Sequence, residues 1–265
     1  MRKGGSKIIT SQFNRGRGMA RKYSLLKRVV QAVPGLRGGL AAAFMLLPKP
    51  LSAKAYAFLR RRVFPDNQPR VAAFDHAFKQ VRQSTSDTVI QYYEFGVARG
   101  TSVISSYQIA KANGLDLKIF AFDSFKGLPS SEGIFAAGDM AYPDATFRRF
   151  VDKAGVPLEQ VTSIPGFFNV SLTDSLKLTL GLKPSVAVFH NDSDLYESTR
   201  DALSWIEDLA MPGSVIIFDD WYSFSSLDKP EHFGEKRAFA EWPDRPNWKL
   251  LFETSNANIA FVKTE

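Results

Sequence analysis

The chain has 265 residues, 45% of them apolar, and a formal net charge of +7. This length and composition allow one α/β domain with a hydrophobic core plus an appended segment. The chain contains no cysteine, which excludes disulfides, thiolate zinc sites and a cysteine nucleophile. The same absence fits a reducing cytoplasm, where we expect the protein to reside.

Residues 1–64 are predicted to form a basic N-terminal arm. They hold fifteen Lys or Arg and no Asp or Glu, whereas the remainder holds nineteen basic and twenty-seven acidic residues. Residues 1–20 have the composition of a disordered segment, and helices are predicted over Tyr23–Val33 and Leu51–Val63. We expect the arm to pack over the domain or to aid solubility. Peripheral contact with an anionic membrane is an alternative, since each Lys or Arg near such a surface contributes about 1 kcal/mol.

Residues 65–265 are predicted to form the main domain, which begins after a linker, "FPDNQPR" (Phe64–Arg70). Apolar runs then alternate with segments of helical periodicity. The predicted strands are Thr88–Tyr93, Leu117–Phe122, Gln160–Ile164, Ser185–Phe189 and Ser214–Phe218. The predicted helices are Val71–Gln83, Thr101–Asn113, Ala145–Ala154, Leu172–Thr179 and Ser198–Leu209.

This alternation predicts an α/β fold with a doubly wound, mostly parallel sheet. The strands are continuously apolar, as expected for a sheet that helices cover on both faces. After Asp220 the rhythm changes to a loop and a helix near Gly234–Trp242. Two apolar segments, "WKLLFET" and "NIAFVKT", follow with a short polar link between them, which predicts a C-terminal antiparallel hairpin at the sheet edge.

The first predicted strand leads into a glycine-containing turn, "YYEFGVARGTS". Gly96 and Gly100 flank the turn into the next helix, and Glu94 lies at the strand end. Such a turn lets the backbone approach a ligand closely, although it also serves simple strand-to-helix packing. It is a variant of the dinucleotide fingerprint, and no Lys followed by Ser or Thr marks a phosphate-binding P-loop.

The second predicted strand ends in "FAFDSFKGLP", which places Asp123 at the carboxyl edge of the sheet. An acidic residue at this point of a doubly wound fold commonly binds the ribose hydroxyls of an adenosine cofactor. A simple helix-capping role for Asp123 is the alternative interpretation.

Pairs of aspartates follow the fourth and fifth predicted strands, in "FHNDSDLYEST" and "IIFDDWY". Because ligands bind outside the carboxyl ends of the strands in open α/β sheets, we expect Asp192, Asp194, Asp219 and Asp220 to lie together. Four carboxylates in one place repel one another unless a cation lies among them. Their hard oxygen atoms favour Mg²⁺, Ca²⁺ or Mn²⁺ over zinc.

Four blocks, in order, resemble one known family: "EFGVARGTS", "FAFDSFKGLP", "FHNDSDLYEST" and "GSVIIFDDWY". A weaker fifth is "FGEKRAFAEW", and together they span about residues 88–245. The chain resembles the class I S-adenosylmethionine-dependent methyltransferases, in the macrocin O-methyltransferase-like branch that modifies hydroxyls of antibiotic sugars. The resemblance implies a Rossmann-like fold and two cofactors, S-adenosyl-L-methionine and Mg²⁺ or another divalent cation.

The resemblance also implies roles for single residues. Glu94, Gly96, Gly100 and Thr101 would bind the methionine and ribose side of the cofactor, and Asp123 and Ser124 the ribose hydroxyls or neighbouring atoms. The metal ligands would be Asp192, Asp219 and Asp220. Asp194 would be the general base that takes the proton of the acceptor hydroxyl, which is a poor nucleophile until it is activated.

Two other functions stay open on the sequence. A metal-dependent glycosyltransferase also carries D-x-D after a strand, and a non-catalytic protein could use the basic arm to bind membrane or RNA. The expected partner is a small-molecule or glycan hydroxyl acceptor of unspecified identity. Nucleic acid is not expected as a substrate, because the main domain is acidic. A homo-oligomer, with the arm packed on a neighbour, is left open.

Overall fold

The structure, a computed structural model, describes residues 68–254 and 257–265, which form one seven-stranded sheet with helices packed on both faces. The strands are β1 (Val89–Phe95), β2 (Asp116–Asp123), β3 (Val161–Pro165), β4 (Ala187–Asn191), β5 (Val215–Phe218), β6 (Trp248–Glu253) and β7 (Ile259–Lys263). The helices are α1 (Gln68–Ser84), α2 (Thr101–Ala112), α3 (Asp144–Lys153), α4 (Phe168–Ser171), α5 (Asp174–Leu180), α6 (Tyr196–Ile206) and α7 (Gly234–Glu241).

The strand order is β3-β2-β1-β4-β5-β7-β6. Strands β1 to β5 pair in parallel, whereas β7 is antiparallel to both β5 and β6. The order reverses between β1 and β4, and this switch point is where ligands bind in open α/β sheets. The predicted doubly wound sheet, its Rossmann-like arrangement and its C-terminal antiparallel hairpin are therefore confirmed.

Two neighbouring tyrosines of β1 show how both faces of the sheet are covered. Successive side chains of a strand point to opposite faces. Tyr92 meets the rings of Phe74 and Phe78 from α1, at 6.2 and 6.3 Å between centroids. Tyr93 instead stacks on Phe189 at 4.9 Å and meets Trp205 of α6 edge-on at 6.4 Å. Apolar residues on both faces thus hold β1 in the centre of the core.

Backbone hydrogen bonds continue past the strands and fix the carboxyl edge of the sheet. The amide of Gly96 donates to the carbonyl of Phe122 at 2.8 Å, and the amide of Asp192 donates to the carbonyl of Phe95 at 2.8 Å. The amide of Asp219 donates to the last carbonyl of β4 at 3.0 Å. The residues that follow β1, β4 and β5 are therefore held side by side before any side chain acts.

The observed boundaries differ from the predicted ones where local contacts outweigh periodicity. The predicted helix Leu172–Thr179 corresponds to α5, which begins two residues later because the Thr173 hydroxyl caps it by accepting from the amide of Leu176 at 3.1 Å. The short helix α4 before it was not predicted. The linker prediction for Phe64–Arg70 is wrong over its last three residues, which belong to α1. Proline is tolerated in a first helical turn, so Pro69 does not prevent this start.

The predictions for the basic arm, residues 1–64, lie outside the described residues, as do the two helices predicted within it. Within residues 68–254 and 257–265, no helix is both long enough and apolar enough to cross a bilayer.

A substitution at Gly96 tests the close packing between the turn after β1 and the residue that follows β4. A Cβ atom there would lie 1.9 Å from the carbonyl oxygen of Asp192, and the residue has φ +88°. We expect Gly96→Ala to lower the free energy of unfolding by more than about 2 kcal/mol, from left-handed strain and overpacking combined. The control is Gly114→Ala, where φ is +72° but no atom lies within 4 Å. Urea denaturation measures both, and equal losses would show that contact with Asp192 is unimportant.

Candidate active site

A cavity of about 270 Å³ opens at the carboxyl edge of the sheet. Six of the predicted site residues line it: Gly96, Thr101, Asp123, Ser124, Asp192 and Asp194. The other four, Glu94, Gly100, Asp219 and Asp220, lie outside this lining. The structure thus brings four of the six predicted cofactor-binding residues and both aspartates of the D-x-D pair to one cavity.

Glu94 braces the glycine turn from inside. Its carboxylate is fully buried and accepts hydrogen bonds from the hydroxyls of Tyr92 and Ser102. Ser102 belongs to the first turn of α2, so this bond ties the end of β1 to the start of the helix. Gly100 precedes that helix with φ +86°, and a Cβ there would lie 2.9 Å from the ring of Phe147. These positions support the turn.

Asp123 binds backbone amides of two turns and also lines the cavity. One carboxylate oxygen accepts from the amides of Val97 and Ala98, each at 2.9 Å. The other accepts from the amide of Phe125 at 2.7 Å. The side chain therefore caps the turn after β1, whereas the alternative interpretation expected it to cap a helix. It also lines the cavity, where the oxygen that accepts only from Phe125 keeps a further lone pair for a ligand hydroxyl.

Ser124 organises the loop that follows β2. Its hydroxyl donates to the carbonyl of Gly127 at 2.7 Å and accepts from the amide of Lys126 at 3.0 Å. Gly127 has φ +89°, and a Cβ there would lie 2.4 Å from the carbonyl oxygen of Gly138. This loop is thereby folded back on itself at the cavity rim.

The three predicted metal ligands form a compact group. Asp192, Asp219 and Asp220 each offer a carboxylate oxygen, and these atoms lie within 4.8 Å of one another. Oxygen donors of this kind suit Mg²⁺, Ca²⁺ or Mn²⁺. Burial and the neighbouring charge of Asp219 raise the pKa of Asp192 well above its ordinary value. The donor set therefore fits a divalent cation, since a positive charge in the group relieves the repulsion that raises this pKa.

Asp194 lies beside this group in a strained conformation. Its φ is +64°, in the left-handed region, and its side chain is almost fully buried. Burial and the charges of Asp220 and Asp192 raise its pKa to about 10. Burial and Asp219 also raise the pKa of Asp220, whose carboxylate accepts from the Ser223 hydroxyl at 2.6 Å. The negative charges of neighbouring aspartates thus contribute to the raised pKa values of both Asp194 and Asp220.

Two cationic side chains contact the carboxylates within the described part of the chain. Arg70 donates from Nε to Asp219 Oδ1 at 2.7 Å and from Nη2 to Asp219 Oδ2. The His190 Nδ1 atom lies 3.5 Å from Glu94, and its Nε2 atom lies 3.6 Å from Asp219. Burial alone would lower the pKa of His190, but Asp219 and Glu94 outweigh burial and raise it to about 10.

These two cations determine the charge of Asp219. Burial alone would raise the pKa of Asp219, but Arg70 and His190 outweigh burial and hold that pKa well below its ordinary value. Asp219 is therefore ionised, whereas Asp192, Asp194 and Asp220 are shifted the other way.

Sequence reasoning missed three residues that build the site. Arg70 was assigned to a linker, and no local pattern links it to an aspartate 149 positions away. Glu235 lies in the weak block "FGEKRAFAEW" but received no role there. Its buried carboxylate accepts from Asn191 Nδ2 at 2.8 Å and from the amide of Asp220 at 2.9 Å. Burial, and then Asp220, raises the pKa of Glu235.

Glu132 is the third missed residue and connects three segments. It lies in the loop between β2 and α3, and its carboxylate accepts from the amide of Tyr196 at 2.7 Å and that of Gly234 at 2.8 Å. Those amides open α6 and α7, whose unpaired N–H groups favour a negative charge. Glu132 thus holds the loop against the segment that carries Asp194.

The bridging contacts of Glu132 are testable. We expect Glu132→Gln to lower the free energy of unfolding by about 1 to 3 kcal/mol, since the amide nitrogen cannot accept from an N–H group. Exposed Glu231, whose carboxylate lies 3.9 Å from the His232 ring nitrogen Nε2, provides the control Glu231→Gln. Its expected change is below about 0.5 kcal/mol. Denaturant midpoints that shift equally in both variants would contradict the bridging role.

Two curated relatives match part of the chain. The first is the 8-demethyl-8-(2,3-dimethoxy-alpha-L-rhamnosyl)-tetracenomycin-C 4'-O-methyltransferase of Streptomyces olivaceus, 32% identical over 48% of this chain and 51% of the relative. The second is the demethyldecarbamoylnovobiocin O-methyltransferase of Streptomyces niveus, 31% identical over the same shares. The chain spans about half the length of these relatives.

A solved structure and a family profile extend the comparison. The calicheamicin methyltransferase CalS11 shares the fold, with a TM-score of 0.61 and 19% identity over 99% of both chains. The profile described as Macrocin-O-methyltransferase (TylF) matches residues 67–239, which include β1 to β5 and every predicted site residue. These findings confirm the resemblance, and the chain belongs to the macrocin O-methyltransferase family.

Proposed function

We propose that the chain is an S-adenosylmethionine-dependent, divalent-metal-assisted O-methyltransferase that acts on a hydroxyl of a sugar or a similar small-molecule or glycan acceptor. One observation carries the proposal: Asp192 and Asp194 line the same cavity as Gly96, Thr101 and Asp123. A methyl donor held by the glycine turn and a hydroxyl held by the D-x-D segment would therefore share one space.

The cofactor half of the cavity is built from the turn after β1 and the end of β2. Gly96 keeps the backbone open where a side chain would meet Asp192, and Asp123 presents carboxylate oxygens that suit ribose hydroxyls. Thr101 and Ser124 add hydroxyl groups to the same wall. S-adenosylmethionine, when bound, supplies a methyl group on a positively charged sulfur. The work of these residues is to position it, since orientation lowers the barrier of a two-substrate transfer.

Asp192, Asp219 and Asp220 would hold the divalent cation. Their oxygens are the donors such an ion prefers, and their mutual repulsion falls when positive charge lies among them. A cation bound there supplies a Lewis acid that lowers the pKa of a nearby hydroxyl. Glu235 supports this group from behind, because its carboxylate fixes the backbone of Asp220 and the side chain of Asn191.

Asp194 is the proposed general base. Its carboxylate lines the cavity, and burial together with Asp220 and Asp192 makes it more basic than an exposed aspartate. In the ionised form it would take the acceptor's proton at a carboxylate oxygen as the hydroxyl attacks the methyl group. Positive charge beside the group favours that ionised form. The strained backbone at Asp194 supports a functional role, since strain of this kind concentrates at active sites.

The loop between β2 and α3 shapes the acceptor side. Met140 and Tyr142 from this loop line the cavity, and the guanidinium of Arg99 lies 5.1 Å from the centre of the Tyr142 ring. Of the aromatic residues near the site, Phe147 is fully buried and packs below Gly100 instead. Both curated relatives are named as O-methyltransferases, one of them for a rhamnosyl compound, which supports a sugar hydroxyl as the acceptor.

Calorimetry separates methyl transfer from sugar transfer and tests the metal. We expect S-adenosylmethionine to bind with similar affinity with and without EDTA, because the proposed cofactor residues are distinct from the three metal ligands. Turnover with a sugar acceptor is expected to stop in EDTA and to return with Mg²⁺. A nucleotide sugar is the comparison ligand. Tight binding of that ligand alone would contradict methyl transfer, and turnover that persists in EDTA would contradict metal assistance.

Asp194→Asn tests the general base. We expect kcat to fall by a factor of about 10² to 10⁴, the usual contribution of a general base, while the affinity for S-adenosylmethionine stays unchanged. The matched control is Asp208→Asn, an exposed carboxylate whose partner is Lys177 Nζ at 2.6 Å. A normal kcat in Asp194→Asn would show that another group, or water, takes the proton.

A further inference from the structure

Arg70 occupies a position that the family motifs do not explain. It lies in the first turn of α1, lines the cavity, and has a side chain that is only 17% exposed. Its Nε and Nη2 atoms both donate to Asp219, one to each carboxylate oxygen. Its Nη2 atom also lies 3.7 Å from Asp192 Oδ2. The guanidinium thus lies against two of the three carboxylates that would hold a divalent cation.

The bonds to Asp219 leave little room for a metal ion. Oδ1 accepts from Arg70 Nε and from Asn258 Nδ2, and Oδ2 accepts from Arg70 Nη2. A paired arrangement of guanidinium and carboxylate is among the strongest hydrogen-bonded pairs in proteins. Of the two oxygens only Oδ2 keeps a further lone pair, so a cation that takes Asp219 as a ligand must bind directly beside the guanidinium nitrogen that donates to the same oxygen.

The charges at the site also disfavour binding of Arg70 and a metal ion to Asp219 at the same time. Arg70 and a divalent cation would have the same electrostatic effect, because each places positive charge beside buried carboxylates that repel one another. Bringing both cations onto Asp219 would add repulsion between them. Of the two cationic side chains beside Asp219, Arg70 is the one that can move aside. Its long side chain reaches the cavity, whereas His190 is fully buried.

We propose that Arg70 is a competing counter-ion, which a divalent cation displaces from Asp219 and Asp192 when it binds. The inference rests on the metal-assisted function proposed above and adds to it a residue that sets metal affinity. The guanidinium keeps the carboxylates paired in the metal-free protein and lowers the apparent affinity for the ion. Binding of the cation then moves Arg70 toward the cavity.

Metal titration of variants at this position tests the competition. We expect Arg70→Met to bind Mg²⁺ and Mn²⁺ at least about tenfold more tightly than the unaltered full-length chain, a change of about 1.4 kcal/mol. Arg70→Lys should fall between the two, because a single ammonium group cannot pair with both oxygens of Asp219 in the manner of a guanidinium. The control is Arg82→Met on the same helix, whose exposed side chain bonds only weakly, to the Thr85 carbonyl at 3.4 Å.

Thermal unfolding provides a second readout that does not depend on activity. Without metal, Arg70→Met should melt at a lower temperature than the unaltered chain, because its buried carboxylates lose their partner. Saturating Mg²⁺ should raise the melting temperature of Arg70→Met more than that of the unaltered chain or Arg82→Met. If Arg70→Met is too unstable to purify, Arg70→Lys carries the same comparison.

The outcomes separate this inference from the function on which it rests. Equal or weaker metal binding by the Arg70 variants, with clear binding by the unaltered chain, would leave the metal site standing and overturn the competition. Absence of metal binding in every variant would overturn the metal site itself, and the competition with it. Tighter binding in Arg70→Met and an unchanged Arg82→Met would support the competition.

Discussion

Repulsion between acidic side chains at one edge of the sheet is the constraint on which this site depends. Parallel strands end together, so Asp192, which follows β4, and Asp219 and Asp220, which follow β5, lie side by side. Burial strengthens the repulsion, because little water screens the charges there. Several features of the site reduce this repulsion or follow from it. The cationic side chain of Arg70 lies against Asp219, and the pKa values of Asp192 and Asp220 are raised. The same carboxylate oxygens form a group that suits a divalent cation.

The backbone makes such crowding achievable. Hydrogen bonds from Gly96, Asp192 and Asp219 extend the sheet by one residue beyond β1, β4 and β5, so the acidic residues stand on a rigid edge. Gly96 lets β1 and β4 approach at that edge, where any side chain would collide with Asp192. Rigid support of this kind fixes the positions of functional groups better than a free loop does. The loop between β2 and α3 gains similar support through the two amides held by Glu132.

Much of this arrangement was predictable from the sequence, and the reason is topological. Residues that follow strands of a parallel sheet converge, so the apolar runs before Asp123, Asp192 and Asp219 were enough to predict one cavity edge. The alternation of apolar runs with helical segments likewise predicted the sheet and its C-terminal hairpin. It could not find Arg70, because a long side chain on α1 reaches the edge from outside the sheet, across 149 positions of sequence. Nor could it separate Glu94, which turns inward to Tyr92 and Ser102, from residues that face the cavity.

Backbone conformation also explains how two aspartates only two positions apart can support different roles. Asp192 continues the sheet, since its amide bonds to the carbonyl of Phe95, and its carboxylate therefore faces the group that suits a cation. Asp194 has left the sheet, and its positive φ redirects its side chain before α6 begins at Tyr196. Its carboxylate lines the cavity beside Asp220 rather than joining the compact oxygen group. A D-x-D pair that straddles the end of a strand thus places one carboxylate in the oxygen group suited to a cation and the other on the cavity wall, which is the separation that the proposed roles of metal ligand and general base require.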